Sequence, residues 1–82
     1  MVKVFLDKKF RVLLSKIQDN ALKQKIGNQI RTIRKNPRIG KPMRYARKGT
    51  RELPIKPFRL SYVFNAKEDK VYILDLYHIR PR

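Results

Sequence analysis

The sequence predicts a single α+β domain over residues 1–82: an N-terminal strand, an antiparallel helix hairpin, and a three- to four-stranded antiparallel meander with both helices on one face. Three observations predict this fold class. Apolar residues alternate near the N-terminus, recur at helical spacing in the next part of the chain, and alternate again towards the C-terminus. A chain of 82 residues with 41% hydrophobic content is long enough for one small core and too apolar to be disordered.

Residues 1–6 are predicted to form the first strand, because aliphatic side chains occupy every second position there. Val2, Val4 and Leu6 are expected on the buried face, and Lys3 and Phe5 on the other.

Two helices are predicted to follow. Asp7 offers an N-cap to the first, which should end near residue 18, and Asp19 offers one to the second, which should end before Asn36-Pro37. Each helix has an apolar stripe with helical spacing: Phe10, Leu13, Leu14 and Ile17, then Leu22, Ile26, Ile30 and Ile33. The short connection favours an antiparallel hairpin. Gly27, inside the second helix, indicates close helix packing at that point.

The second half of the sequence predicts strands. A loop rich in Pro and Gly, residues 36–49, is expected to flank a short strand at residues 43–47. Three further strands are expected at residues 51–55, 58–65 and 71–78, joined by a Lys56-Pro57 turn and an AKEDK hairpin loop. Such short loops favour antiparallel neighbours. Pro54 cannot donate a ladder hydrogen bond, so its strand should lie at an edge or bend there.

The segment KPFRLSYVF, residues 56–64, has one strongly apolar face. That face carries Phe58, Leu60, Tyr62 and Phe64, and the other carries Arg59, Ser61 and Val63. If the helices cover the apolar face, Arg59 points to the opposite, open face. We expect acidic partners to be scarce around it there.

The charge distribution favours a polyanionic partner. Lys and Arg number 22 against six acidic residues, a net charge of +16, and no carboxylate lies between Asp19 and Glu52. A surface that is charged only for solubility normally mixes both signs. Nucleic acid is therefore the preferred partner, ahead of an acidic protein or an anionic lipid surface.

Several classes of protein are disfavoured. The absence of Cys excludes disulfides and thiolate zinc sites. The six carboxylates are scattered and there is one His, so neither a metal site nor a cofactor is expected. No segment has the length of a signal peptide core or a membrane span, so the protein is expected to be cytoplasmic, with no membrane partner.

The remaining reactive side chains, which are mainly arginines and one histidine, suit RNA cleavage without a metal. RNA supplies its own nucleophile, the 2′-hydroxyl, so a protein needs to align it, stabilise the phosphate charge and move a proton. Guanidinium groups bind phosphate bidentately, which favours Arg59, Arg80 and Arg82. His78 has an imidazole that titrates near neutrality and suits proton transfer, although a lone His more often packs at a strand end.

Other side chains are candidates for RNA binding. Three strands should bring Arg51, Arg59 and Arg80 to one neighbourhood, and exposed tyrosines can stack on bases. The full candidate set for RNA binding is Arg44, Arg47, Lys48, Arg51, Lys56, Arg82, Tyr45 and Tyr77.

Three motifs follow one another in the C-terminal half of the chain. Residues 49–53 form a G-x-x-x-L strand, residues 58–62 an aromatic-Arg-aliphatic-x-Tyr strand, and residues 73–80 an apolar strand ending in H-x-R. The segment NPRIGKPMRYARKG precedes them. In order and spacing these motifs, with the helix hairpin before them, resemble the RelE/ParE superfamily of type II toxin–antitoxin toxins over essentially the whole chain.

The resemblance implies a RelE-like fold whose concave sheet face meets RNA on the ribosome and cleaves mRNA there without a metal. By motif position, Arg59 matches the family's phosphate-binding arginine, Arg80 the basic residue after the last strand, and His78 a histidine found there in many members. Glu52 and Pro54 stand where the namesake toxins carry catalytic lysines.

The leading hypothesis is a toxin that cleaves mRNA in the ribosomal A site. Arg59 and Arg80 would hold the scissile phosphate, and His78 or Glu52 would move protons. Two alternatives stay open: a ParE-like inhibitor of DNA gyrase that cuts nothing, and a catalytically degenerate member that only binds RNA or its antitoxin. The expected partners are a cognate acidic antitoxin, the ribosome and mRNA.

Overall fold

The computed structural model describes residues 1–45 and 48–78. Along the chain its elements are β1 (Lys3–Leu6), α1 (Lys8–Lys16), α2 (Asn20–Lys35), β2 (Lys41–Pro42), β3 (Arg51–Ile55), β4 (Phe58–Asn65) and β5 (Lys70–His78). This order confirms the predicted strand, helix hairpin and strands. The short strand expected at residues 43–47 is wrong in position, because β2 pairs with β3 two residues earlier, at Lys41–Pro42.

The strands form one sheet in the order β1-β5-β4-β3-β2. The pairs from β2 to β5 are antiparallel, as predicted. β1 lies parallel to β5, with Val4 opposite Val71 and Leu6 opposite Ile73. This parallel pair brings the first strand next to the last one, a pairing that the sequence did not predict.

Both helices begin at the predicted caps. The Asp7 carboxylate accepts a hydrogen bond from the Lys9 backbone N–H at 3.1 Å. The Asp19 carboxylate accepts from Ala21 and Leu22 at 2.9 and 3.2 Å. These acceptors satisfy N–H groups that a helix leaves unpaired in its first turn.

The hydrophobic core lies between the helices and one face of the sheet. Its buried members are Val2, Phe10, Ile26, Ile33, Leu53, Ile55, Leu60, Tyr62, Val71, Ile73 and Leu76. β3 and β4 contribute alternate residues, as predicted, whereas the core residues of β5 break the alternation between Ile73 and Leu76. The other sheet face carries no helix in the part of the chain that the structure describes, and we call it the open face.

Tyr62 ties the loop after α2 to the core. Its side chain is fully buried, its hydroxyl donates to the Pro37 carbonyl at 2.8 Å, and it accepts from the Gly40 N–H at 2.8 Å. Burial raises the pKa of Tyr62, and the hydrogen bond from Gly40 and the charge of Arg51 act in the opposite direction. A Cβ atom at Gly40 would lie 2.6 Å from the Tyr62 hydroxyl, so glycine is required by this close approach.

Gly27 does not mark close helix packing, and that interpretation was wrong. A Cβ atom there would meet only the tip of the Arg31 side chain, at 3.7 Å. Gly27 lies on the wall of an open cavity of about 510 Å³ between α1 and α2, which also involves Leu14 and Ile26. The glycine is therefore not needed for space.

A β-bulge interrupts the pairing of β4 with β5. Ser61 pairs with Asp75 and Tyr62 with Ile73, so Leu74 is the extra residue on β5. The bulge changes the alternation along β5. As a result Tyr72 and Tyr77, five positions apart, both lie on the open face.

No helix within residues 1–45 and 48–78 combines the length and the apolar character that a membrane span requires.

Candidate nucleic-acid interface

Arg59 lies on the open face, as predicted. Its neighbour Leu60 is buried in the core, and alternation directs Arg59 to the opposite side of β4. The side chain of Arg59 is 44% exposed. It is in register with Pro54 on β3 and Tyr77 on β5. The guanidinium therefore reaches solvent from the middle of the sheet.

Glu52 is an acidic partner of Arg59. Its Oε1 lies 3.5 Å from Nη1 of Arg59, on the adjacent strand and the same face. The Glu52 side chain is only 3% exposed. The expectation that acidic partners would be scarce around Arg59 was wrong, because β3 alternates so that Glu52 and not Arg51 faces this side. A carboxylate at this position restricts the orientation of the guanidinium.

Tyr77, on the strand at the other side of β4, contacts the pair formed by Arg59 and Glu52. Its hydroxyl donates a hydrogen bond to Oε2 of Glu52. Tyr77 and Glu52 belong to strands separated by β4, a distance of about 10 Å between strand axes. The small side chain of Ser61, opposite Glu52 on β4, lets the phenol ring cross that distance.

A groove runs beside Arg59 on the open face. It has a volume of about 560 Å³ and is lined by Lys41, Pro42, Met43, Arg44, Tyr45 and Arg59. Arg44 is exposed, and Tyr45 is 91% exposed with a backbone φ of 60°. The groove combines cations from two segments of the chain with an exposed aromatic ring. It has the composition of a site for a phosphate with an adjoining base.

Arg51 is not part of this groove. It pairs with Tyr62 and shares its face, and its Nη1 donates to the carbonyls of Arg38 and Gly40 at 3.1 and 2.8 Å. The prediction that Arg51 and Arg59 share a neighbourhood was wrong, because they are eight positions apart on antiparallel strands with opposite facing. Arg51 holds the loop after α2.

His78 also faces away from Arg59. It pairs with Phe58 at the end of β5, and the two rings meet edge to face with centroids 5.1 Å apart. Alternation puts Tyr77, and not His78, beside Arg59. The imidazole is exposed at the strand end and contacts Phe58 on the side of the sheet away from Arg59.

The remaining candidates are distributed around this site. Lys48 and Lys56 are both exposed, Lys48 in the turn before β3 and Lys56 in the turn between β3 and β4. Arg47, Arg80 and Arg82 lie outside the described residues. Lys41 was missed as an individual site residue, although its pairing with Glu52 brings it to the open face. The signal was weak, since a lysine next to a proline is common in loops.

The described residues contain no group of three His, Asp or Glu side chains arranged to hold a metal ion. The site brings together an arginine paired with a buried carboxylate, two further cations and two tyrosines. Groups of these kinds can bind a phosphodiester and stabilise negative charge.

Several solved toxin structures share this arrangement of strands and helices. The YoeB/ParE toxin from Agrobacterium tumefaciens matches with a TM-score of 0.83 at 15% identity, covering 95% of this chain and 99% of that one. The RelBE2 toxin–antitoxin complex from Mycobacterium tuberculosis gives 0.81 at 25% identity, covering 95% and 98%. The intact RelBE complex from E. coli gives 0.82 at 11% identity, covering 99% and 100%.

A search of curated protein sequences found no match. A family model does match, over residues 4–80, and it describes the ParE toxin of the type II toxin–antitoxin system parDE. The match covers nearly the whole chain, including the strand of Arg59 and the strand of Glu52. The chain therefore belongs to the ParE toxin family of type II toxin–antitoxin systems.

Proposed function

We propose that this toxin is a metal-independent endoribonuclease that cleaves mRNA on the ribosome, with the open face as its RNA-binding surface. The observation that carries the proposal is the Arg59 guanidinium, held by Glu52 and exposed in a groove with Lys41 and Arg44. An arginine used only for solubility would not need a buried carboxylate to orient it.

In the proposed reaction the 2′-oxygen of one nucleotide attacks the adjacent phosphorus. The 2′-hydroxyl loses its proton, the P–O5′ bond breaks, and the 5′-oxygen gains a proton, which leaves a 2′,3′-cyclic phosphate and a 5′-hydroxyl. Arg59 binds the phosphate oxygens and stabilises the charge that builds up on them. Arg80 and Arg82, outside the described residues, belong to the same proposal as further phosphate ligands.

Glu52 is better suited to hold Arg59 than to move a proton. A general base must reach the proton that it removes, and the Glu52 carboxylate is 3% exposed and engaged by the Tyr77 hydroxyl. His78 packs on Phe58 on the other face. The contribution of the described residues to catalysis is therefore alignment and charge stabilisation.

The ribosome and an antitoxin are the proposed partners. A net charge of +16 favours ribosomal RNA, and Arg44 and Tyr45 line the groove. Relatives of known structure include toxin–antitoxin complexes. We propose an acidic antitoxin for this chain, because an acidic segment that folds on this surface would cover the cations needed for RNA.

The proposal is tested by incubating the toxin with mRNA-programmed ribosomes and mapping the new 5′ ends. Arg59→Ala should abolish cleavage. Arg31→Ala is a matched control, since it removes the same charge from an exposed site on α2, where the guanidinium donates to the side chain of neighbouring Asn28. Unchanged cleavage by Arg59→Ala would overturn the proposed mechanism. RNA binding without a product would indicate a toxin that has lost catalysis.

A second candidate function is inhibition of DNA gyrase. Two observations favour it: the matching family model is that of ParE, and the described part of the groove exposes neither a carboxylate nor an imidazole. A supercoiling assay separates the two functions. A ribosome-directed nuclease should leave gyrase unaffected, whereas a gyrase inhibitor should leave programmed mRNA intact.

A further inference from the structure

A second cluster of side chains lies on the open face, at the β1 end of the sheet. Phe5 on β1 is opposite Tyr72 on β5, and their rings stack with centroids 5.5 Å apart and an interplanar angle of 22°. Phe5 is 43% exposed, and Tyr72 is half-buried. The pair therefore forms a short aromatic stack at the surface, which a further planar group can extend.

Cations surround this stack. The Lys70 ammonium lies 5.8 Å from the centre of the Phe5 ring. Lys3 is opposite Lys70 and shares its face. Arg34 reaches the outer edge of β1 from α2, where it helps to line a shallow cavity of about 370 Å³ with Lys3 and Phe5. Aromatic rings beside several cations are typical of surfaces that bind single-stranded nucleic acid.

The β-bulge connects this cluster to the groove of Arg59. In a regular strand, residues five positions apart such as Tyr72 and Tyr77 would lie on opposite faces, but the bulge at Leu74 shifts the alternation by one. With it, both lie on the open face. The two sites are five residues apart along one strand, or about 16 Å. An extended RNA strand with its phosphate at Arg59 can therefore reach the aromatic pair without leaving the sheet.

We propose that Phe5 and Tyr72, with Lys70 beside them, form a stacking platform for a base of the same RNA strand that Arg59 binds. This inference rests on the proposed function and extends it by a second contact, remote from the cleaved bond. Stacking accepts any base, because every base has a π-face. The platform would therefore add affinity and fix the path of the RNA without selecting a sequence.

RNA fits this surface better than an acidic peptide. Carboxylates would pair with Lys3 and Lys70 but would not use the aromatic stack, whereas a nucleotide uses both. Two carboxylates, Glu68 and Asp69, belong to the adjoining turn, and Glu68 is engaged by the Asn65 side chain. They close the turn end of the surface to a polyanion and leave the direction towards Arg59 open.

The test measures the affinity of the protein and of two variants for two RNA probes. One probe is a single-stranded 2′-O-methyl oligoribonucleotide, which has bases and phosphates but lacks the nucleophile. The other is an abasic strand of equal length. Phe5→Leu keeps apolar bulk and removes the ring, and Tyr72→Leu does the same on β5. Val12→Ala is the control, because Val12 is 44% exposed on α1, away from the sheet.

We expect Phe5→Leu and Tyr72→Leu to weaken binding of the base-bearing probe by roughly five- to a hundredfold. Binding of the abasic probe should not change. Equal loss for both probes would mean a structural or purely electrostatic effect and would overturn the platform, as would unchanged binding of both. Loss of binding to a copurified acidic protein, with RNA binding unchanged, would assign the surface to that protein instead.

Arg59→Ala separates this inference from the proposed function. If Arg59→Ala weakens the binding of both probes and Phe5→Leu weakens the binding of neither, the platform proposal is wrong and the proposed RNA site stands. If neither variant affects either probe, both proposals fail. Melting curves of each variant confirm that the measurement is made on folded protein.

Discussion

Glu52 and Arg59 lie diagonally across β3 and β4, with 3.5 Å between Oε1 of the carboxylate and Nη1 of the guanidinium. One partner is almost fully buried and the other is nearly half exposed. Such a pair differs from an ion pair between two exposed side chains, which contributes about 0–1 kcal/mol. The buried carboxylate has a fixed position, so it directs the exposed guanidinium into the groove.

The first prediction concerns the role of Glu52. Glu52→Gln should lower cleavage by roughly a hundredfold, because a misplaced phosphate ligand costs about that factor. RNA affinity should stay the same or rise slightly, since a negative charge near the phosphate is removed. The shape of the pH–rate profile should not change. If Glu52 were instead the general base, its removal would eliminate one limb of that profile.

The second prediction concerns the bond from Tyr77 to Glu52. Tyr77→Phe should lower the free energy of unfolding by about 1.5–3 kcal/mol, the range for hydrogen bonds to a charged group. Tyr45→Phe, at a residue that is 91% exposed, should have almost no effect. Urea unfolding measures both. An unchanged free energy of unfolding for Tyr77→Phe would mean that the hydrogen bond from the hydroxyl makes no net contribution to stability.

The third prediction uses two glycines with opposite surroundings. Gly40→Ala forces a Cβ into the Tyr62 hydroxyl and should destabilise the protein by about 1–3 kcal/mol. In Gly27→Ala the new Cβ makes only an ordinary contact with the Arg31 side chain, so the substitution should stabilise the helix by about 0.5–1 kcal/mol. Thermal melts should therefore shift in opposite directions. A stabilising Gly40→Ala would contradict the close packing of Tyr62.

The fourth prediction concerns alkaline pH. Burial raises the pKa of Tyr62 in the folded protein above its unfolded value of about 10. Below that value Tyr62 is protonated in both states and its contribution to stability is complete. As the pH rises through and above it, the unfolded chain ionises first, so that contribution is lost.

Tyr62→Phe should remove the loss of stability at alkaline pH that comes from Tyr62. It should also lower stability at neutral pH, because it deletes the hydrogen bonds to Pro37 and Gly40. Tyr45→Phe should keep the loss. Urea unfolding at a series of pH values compares the three proteins. Equal alkaline slopes for wild type and Tyr62→Phe would show that Tyr62 ionises alike in both states.

The fifth prediction concerns salt. If Lys41 and Arg44 each neutralise one phosphate, replacing either by Ala should reduce the slope of log affinity against log salt by about 0.7 for single-stranded RNA. Arg51→Ala removes an equal charge from the opposite face and should leave the slope unchanged while destabilising the fold. Fluorescence anisotropy over a salt series measures the slopes. A reduced slope for Arg51→Ala would restore that residue to the RNA-binding set.

The sequence predicted the helices, their caps and the last three strands, because these depend on local spacing and on short connections. Asp7 and Asp19 cap as expected, and Tyr62 lies in the core as the alternation required. Pro54 confirms its edge position, since β2 ends before reaching it and its carbonyl accepts from Gln29.

The site was harder to predict, because it depends on register between distant strands. From the sequence, both Arg51 and Glu52 were predicted to lie at the RNA site. In the structure these neighbours point to opposite faces of the sheet, and the pairing of β3 with β4 decides which of them faces the site. His78 and Tyr77 differ in the same way. The bulge at Leu74 has no signal of its own in the sequence, and it decides which β5 side chains share the open face.

The parallel pairing of β1 with β5 also determines when the sheet can be completed during synthesis of the chain. β1 is made first, but its only neighbouring strand in the described chain is made after all the other elements. The same late strand brings Tyr77 to Glu52. The edge of the sheet formed by β1, and the contact between Tyr77 and Glu52, can therefore form only after β5 has been synthesised.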